Sequence, residues 1–238
     1  MQSKYPEALT NHHMILGHLP YARIEQLIKK GIFYNVSIYS CERKITKNAH
    51  KCNLKIPTQS WRSFSTDISA SFDQPSIEGN NYQMAILDNL SKFIWDYHLV
   101  IKDEAYDYIA MFLEEEIKAL RGRDQRDYEV VLMSDLGEAH SKKIISACKK
   151  YGVHKTSTAG YTPQHNAFVE RWFRTNSEMS RCQILQFDME EEYWESSRRH
   201  ATFIYNRIPS TSGSTGELIK TPFQLQYPDR VTLDLTRL

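Results

Sequence analysis

Three segments rich in aromatic and branched residues, 64–69, 82–87 and 93–101, follow one another with only short polar connections between them. The connections carry the turn formers Gly79-Asn80-Asn81 and Asp88-Asn89, so the run predicts three strands paired as an antiparallel meander. A helical pattern then spans 103–120, with Ala105, Ile109, Phe112, Leu113 and Ile117 on one stripe beside the acidic run Glu114-Glu115-Glu116, read as a solvated face. A strand at 129–133 delivers Ser134-Asp135; a helix over 141–151 stops at Gly152, and 153–156 forms a fifth strand. A loop over 157–166 leads into a long helix to about residue 185, and another covers 190–206, ended by Ile208-Pro209. This order predicts an α/β fold, a five-stranded mixed sheet flanked by helices, its later strands added through crossover helices.

A chain of 238 residues, 41% hydrophobic, can bury one sizeable core and carry a smaller module. The expected division is a His- and Lys-rich module at 1–60 with one helix at 20–30, a main domain at 61–209, and a tail from 210 to 238. A formal charge of +1 gives no global basic field, so nucleic-acid contact must come from local patches. Four irregularly spaced cysteines and no apolar leader argue against a secreted disulfide framework and for a reducing, intracellular compartment. No apolar run approaches the roughly 18 residues of a membrane span, so no membrane partner is expected. Cys148 and Cys182 fall on helical apolar faces and read as core residues.

Asp67 lies within the first strand, Asp135 closes the fourth, and Glu170 stands near the start of the long helix. All three can meet at one edge of the sheet. Carboxylates within about 4 Å repel each other by a few kcal/mol per pair, so such a site calls for a cation. Oxygen-only ligands favour Mg²⁺ or Mn²⁺. A pair of such ions can activate a water or a 3′-hydroxyl and stabilise the leaving oxygen of a phosphate. Taken singly, each acid reads equally well as a turn or cap residue.

The residues around these acids carry a family likeness. The runs Ser134-Asp135-Leu136-Gly137-Glu138 and Tyr161-Thr162-Pro163-Gln164-His165-Asn166-Ala167-Phe168-Val169-Glu170-Arg171 resemble the two strongest signatures of Ty1/copia-type retrotransposon integrases. Thr66-Asp67-Ile68, Leu87-Asp88-Asn89-Leu90-Ser91-Lys92-Phe93-Ile94-Trp95, Tyr205-Asn206-Arg207-Ile208-Pro209 and Lys220-Thr221-Pro222-Phe223 extend the match over nearly the whole chain. The resemblance implies a ribonuclease-H-like core whose catalytic, metal-binding triad is Asp67, Asp135 and Glu170, acting in DNA 3′-end processing and strand transfer. It also implies DNA as the partner, self-association on that DNA, and a nuclear location with a cytoplasmic particle stage.

Arg174, Glu178 and Arg181 recur at spacings of four and three from Glu170, on one helix face, with Arg171 alongside. These arginines can hold phosphates, the competing reading being ordinary salt bridging within the helix. Asn166, four residues before Glu170, stands where related integrases place a DNA-contacting side chain. Lys142, Lys143, Lys149 and Lys150 read as a solvated helix face.

His13 and His18, followed by Cys41, are similar to the start of the family's His-His-Cys-Cys zinc module. The pattern then departs: Lys44 stands where the second cysteine belongs, so that either Cys52 or His50 completes the Zn²⁺ site or the site is lost. Other departures are one glycine fewer after Asp135, Ala167 for the glycine before Glu170, and Phe173 for an asparagine. They keep alternatives open: a catalytically silent relic or host-adopted DNA-binding module, or a nuclease acting on RNA–DNA hybrids.

Overall fold

A computed structural model describes residues 13–29, 61–123, 129–134, 141–157, 167–209 and 220–230. Its centre is a five-stranded sheet of order β3-β2-β1-β4-β5. The strands are β1 (Trp61–Ile68), β2 (Tyr82–Asp88), β3 (Ile94–Leu99), β4 (Glu129–Ser134) and β5 (Val153–Ser157). The first three pair antiparallel, and β4 and β5 join parallel to β1, the meander and crossovers that the sequence predicts.

Helices cover both faces. They are α1 (Tyr21–Lys29), α2 (Ala105–Phe112), α3 (Lys118–Arg123), α4 (Ser141–Lys150), α5 (Ala167–Gln186), α6 (Trp194–Arg207) and α7 (Pro222–Gln226). A π-helical turn, Leu113–Ile117, joins α2 to α3, so the single helix expected over 103–120 is interrupted where its acidic run begins. Glu114 and Glu115 face solvent, whereas Glu116 is half-buried and accepts the Tyr227 hydroxyl at 3.1 and 3.0 Å.

Alternation along the strands divides the core in two, because successive side chains of a strand point to opposite faces. Phe64, Met84, Ile86, Val130 and Leu132 pack with the α2–α3 rod and with Ile144 and Cys148 of α4. Ala85, Leu87 and Ile94 face the other way, against Val169 and Trp172 of α5. A further apolar cluster ties Leu16, Ile24 and Leu27 to Met179 of α5, to Ala201 and Ile204 of α6, and to Ile208 just beyond it. The sequence anticipates only a partly apolar tail after 210, but α7 forms there with a capping box between Thr221 and Gln224. Gln226 bonds Arg62, and Tyr227 stacks edge-on against Phe93 at 5.3 Å.

Cys148 is buried, as expected; Cys182 is exposed, contrary to the sequence reading. The buried stripe of α5 runs through Val169, Trp172, Asn176, Met179, Ser180 and Gln183. Its inner face is therefore partly polar, and Cys182 sits beside it.

Candidate active site

Asp67 belongs to the α5 side of the sheet. Phe64 lies on the opposite side, so Ser63, Ser65 and Asp67 alternate onto the α5 side. The register agrees: Asp67 is the cross-strand partner of Ala85, and Ala85 is buried against Val169 and Trp172. Asp67 is half-buried, and its Oδ1 accepts the N–H of Ile68 at 2.9 Å.

Glu170 stands in the first turn of α5, between Val169 and Trp172 in sequence, and is exposed. A carboxylate there is favoured by the positive end of the helix dipole. Ala167 is itself the first residue of α5, so the alanine in place of glycine occupies right-handed helical backbone that suits it. Phe173, the other altered position on this helix, packs against the Ala85–Trp172 cluster.

The structure thus brings Asp67 and the Glu170 turn to one face of the sheet. The third acid, Asp135, follows Ser134 in sequence and lies outside the described residues, as does Asn166. Ser134 closes β4 opposite Thr66, the residue before Asp67. Among the described residues no group of three or more His, Cys, Asp or Glu side chains is placed to hold a metal ion. The two described acids nonetheless fit a hard cation in kind: both offer oxygen only.

Arg171, Arg174 and Arg181 are all exposed on α5. Among the described residues Glu178 makes no ion pair with Arg174 or Arg181, so the salt-bridging explanation for these arginines has no support there. Lys142, Lys143, Lys149 and Lys150 are exposed, Lys143 lying 3.6 Å from Asp107.

The two N-terminal histidines converge. Gly17 (φ 61°) and His18 (φ 62°) both take left-handed backbone, which folds the chain back so that His18 Nδ1 lies 3.0 Å from His13 Nε2. His13 Nδ1 is 2.8 Å from the Leu19 carbonyl; donation there leaves Nε2 as the acceptor facing His18 Nδ1. Burial, then the neighbouring His13, lowers the His18 pKa, which favours the neutral ring over the charged one. Cys41, His50 and Cys52 lie outside the described residues.

A second polar cluster centres on Asp96, in the middle of β3. Asp96 accepts from Thr202 Oγ1 at 2.7 Å and Gln83 Nε2 at 2.9 Å. Arg198 donates to Gln83 Oε1 at 2.6 Å and to Ser177 Oγ at 2.7 Å. Asn176 Nδ2 donates to the Arg198 carbonyl at 3.0 Å and to Thr202 Oγ1 at 3.1 Å. His98 lies 3.8 Å from Asp96 and 3.6 Å from Glu195, and Glu195 is held by Ser76 and Asn80. Burial pushes Asp96 up to about 7 against the pull of Thr202, Gln83, Arg198 and Arg199. Burial likewise pushes His98 down to about 4, with Glu195 opposing.

The strand order, the pairing directions and helices on both faces define a ribonuclease-H-like α/β fold. No family model matches the chain. Over 229 residues, 92% of the chain, it is 25% identical to the retrovirus-related Pol polyprotein from transposon TNT 1-94 of Nicotiana tabacum, and it spans 16% of that polyprotein's length. A chain in the cryo-electron microscopy structure of the simian T-cell lymphotropic virus intasome, in complex with PP2A regulatory subunit B56 gamma, has a similar fold. The TM-score is 0.51 at 16% identity, covering 75% of this chain and 59% of that one. The HTLV-2 integrase catalytic core domain, solved in complex with magnesium in a trimeric form, gives a TM-score of 0.47 at 15% identity, covering 69% and 95%. The chain is thus similar in sequence to a retrotransposon Pol polyprotein, over part of that polyprotein's length.

Proposed function

We propose that the chain is the integrase of a retrotransposon, a polynucleotidyl transferase that processes DNA 3′ ends and joins them to target DNA. Asp67, Asp135 and Glu170 would hold Mg²⁺ or Mn²⁺. The observation that carries this reading is the Asp67–Ala85 pairing, which sets Asp67 on the sheet face where Val169 and Trp172, flanking Glu170, are buried.

In end processing a water oxygen attacks a phosphorus, the P–O3′ bond breaks, and the departing oxygen takes a proton to become a 3′-hydroxyl. In strand transfer that hydroxyl loses its proton and attacks a target phosphorus, displacing the target's own 3′-oxygen. When bound, the two cations supply Lewis-acid stabilisation of the attacking and leaving oxygens. Asp67 contributes a carboxylate fixed on a central strand, and Glu170 one fixed on the opening turn of α5. Arg171, Arg174 and Arg181 grip flanking phosphates from the same helix, together with Asn166.

His13, His18, Cys41 and Cys52 would hold Zn²⁺ within a 1–60 module, preceding a 61–209 core and a 210–238 tail. The working form is a multimer on DNA in the nucleus, after a cytoplasmic particle stage. The test is strand transfer on oligonucleotides bearing element ends, with Mg²⁺ or Mn²⁺, for the parent and Asp135→Asn. The reading requires transfer by the parent and none by the variant. DNA binding with no transfer by either protein would replace it with a silent DNA-binding module, and preferential cleavage of RNA–DNA hybrid with a hybrid nuclease.

A further inference from the structure

The β2–β3 turn contains a lysine in a conformation that suits glycine. The turn is closed by the Lys92 N–H donating to the Asp88 carbonyl at 2.8 Å and the Asp88 N–H donating to the Phe93 carbonyl at 3.0 Å. Lys92 has φ 62°, the left-handed region that an L-side chain with a Cβ enters at a steric cost and glycine does not. A lysine retained there needs a reason in its side chain.

That side chain crosses from the hairpin to α5. Its Nζ lies 3.4 Å from the centroid of the Phe168 ring and donates to the Asn89 carbonyl at 2.6 Å. The Arg171 guanidinium lies 5.7 Å from the same ring. Lys92 is half-buried, and burial lowers its pKa to about 8, Asp88 raising it and Arg171 lowering it further. Its base is rigid: the buried Asp88 carboxylate accepts from Arg62 Nε at 3.1 Å, Ser91 Oγ at 2.7 Å and the Leu90 N–H at 3.0 Å.

Phe168 is two residues before Glu170 and one after the start of α5. The first turn of a helix has backbone N–H groups without intrahelical partners and frays unless tertiary contacts hold it. Val169 and Trp172 seat that turn on Ala85, Leu87 and Ile94, which fixes its depth. The Lys92–Phe168 contact touches the turn beside this seat and opposes rotation about it.

We propose that Lys92 is a positioning residue: by clamping the Phe168 ring it fixes the opening turn of α5 and therefore the direction of Glu170. The functional half of this statement rests on the integrase reading; the mechanical half does not. A direct grip on phosphate is the competing use, but the amine is already engaged by the ring and by the Asn89 carbonyl.

The test compares the full chain with Lys92→Gly, Lys92→Arg and Phe168→Leu by thermal unfolding, by backbone hydrogen exchange over residues 171–174, whose N–H groups donate to the carbonyls of the first turn, and by the Mn²⁺ concentration giving half-maximal strand transfer. Lys92→Gly should leave the melting temperature unchanged or raised, because it relieves the turn. It should speed exchange of the first α5 turn about threefold to thirtyfold, the size of a lost cation–π contact, and raise the Mn²⁺ requirement. Phe168→Leu should reproduce the faster exchange, and Lys92→Arg should restore the parent's behaviour. Unchanged exchange in Lys92→Gly overturns the proposal, as does weaker binding of duplex DNA with exchange unaltered. If the parent transfers no strand at all, the integrase reading falls, while the exchange comparison still decides whether Lys92 holds the turn.

Discussion

Two aspartates flank the same alanine on the same face of the sheet and meet opposite environments. Ala85 pairs with Asp67 of β1 on one side and with Asp96 of β3 on the other, so the two carboxylates stand two strand spacings, about 10 Å, apart. Asp96, with a side chain 7% exposed, is enclosed by Gln83, Thr202, Arg198 and His98. Asp67 is half-buried, at the strand next to which β4 ends, and the carboxylate nearest to it in the α5 turn, Glu170, is exposed. A carboxylate sealed with donors is a structural element, because stripping its partners leaves an unpaired buried group. Asp67 is less enclosed and stands on the sheet face where the Glu170 turn is seated, the placement that the proposed metal-holding role requires.

The largest effects should separate these two roles. Asp67→Asn or Glu170→Gln is expected to cut Mn²⁺-supported strand transfer by about 10³-fold or more, the scale of losing a group that acts on transition-state charge, while the melting temperature stays put or rises. Asp96→Asn keeps the shape and most hydrogen bonds, so strand transfer should fall less than about tenfold, with a stability cost near 1 kcal/mol at neutral pH. Equal losses of activity in Asp67→Asn and Asp96→Asn would erase the distinction.

Trp172 is the wall between the two sites, with 1% exposure and Ala85 and Val169 as neighbours. Trp172→Ala should cost about 3–5 kcal/mol of stability, measured by urea unfolding, and should lower strand transfer as well because α5 loses its seat. Retention of full stability would mean that α5 is held elsewhere, by Asn176 and the polar layer alone.

Much of this arrangement was legible in the chain. The aromatic and branched runs, with the turns and crossover helices between segments, predict a five-stranded mixed sheet, and the alternation that puts Phe64 on one face puts Asp67 on the other. Asp67 and Glu170 stand out in the sequence because short signature runs surround them. The polar layer was not readable: Gln83, Asp96, Asn176, Arg198 and Thr202 come from four elements, and no local pattern joins partners so far apart in sequence. That same layer explains the misplaced cysteine. Asn176, Ser180 and Gln183 occupy buried positions of α5, whereas Leu185 is 81% exposed, so hydrophobicity alone points to the wrong side of the helix at its C-terminal end. The π turn before α3 left no signature either, since Leu113 and Ile117 are buried as a regular helix would bury them.

The sealed cluster also sets a pH dependence of stability. Asp96, raised from its ordinary 3.8 to about 7, binds its proton more tightly when folded, so its contribution to stability declines as pH rises from about 4 to about 7. His98, lowered from 6.5 to about 4, is neutral when folded while the unfolded form is charged, so its contribution grows between about 4 and 6.5. The two trends oppose each other, and the parent's stability should change little over that window. Asp96→Asn removes one of them, and its urea midpoint should climb as pH rises from 4 to 6.5. A variant whose midpoint runs parallel to the parent's would show that Asp96 is not the group held protonated.

The smallest effect tests whether the sealed layer is complete without its rim. Arg199, 54% exposed, reaches the Glu195 Oε1 from the surface and lies 3.2 Å from Glu78. Glu195 is also held from inside, by Ser76 Oγ at 2.5 Å and Asn80 Nδ2 at 2.8 Å, and its own side chain is 2% exposed. An exposed arm on an already satisfied carboxylate adds little, because solvent screens it and its long side chain must be ordered. Arg199→Ala should therefore lower stability by no more than about 1 kcal/mol and leave strand transfer unchanged. A loss of about 3 kcal/mol or more would mean that Glu195 depends on the surface cation, and the contrast between the surroundings of Asp96 and of Asp67 would then be a matter of degree.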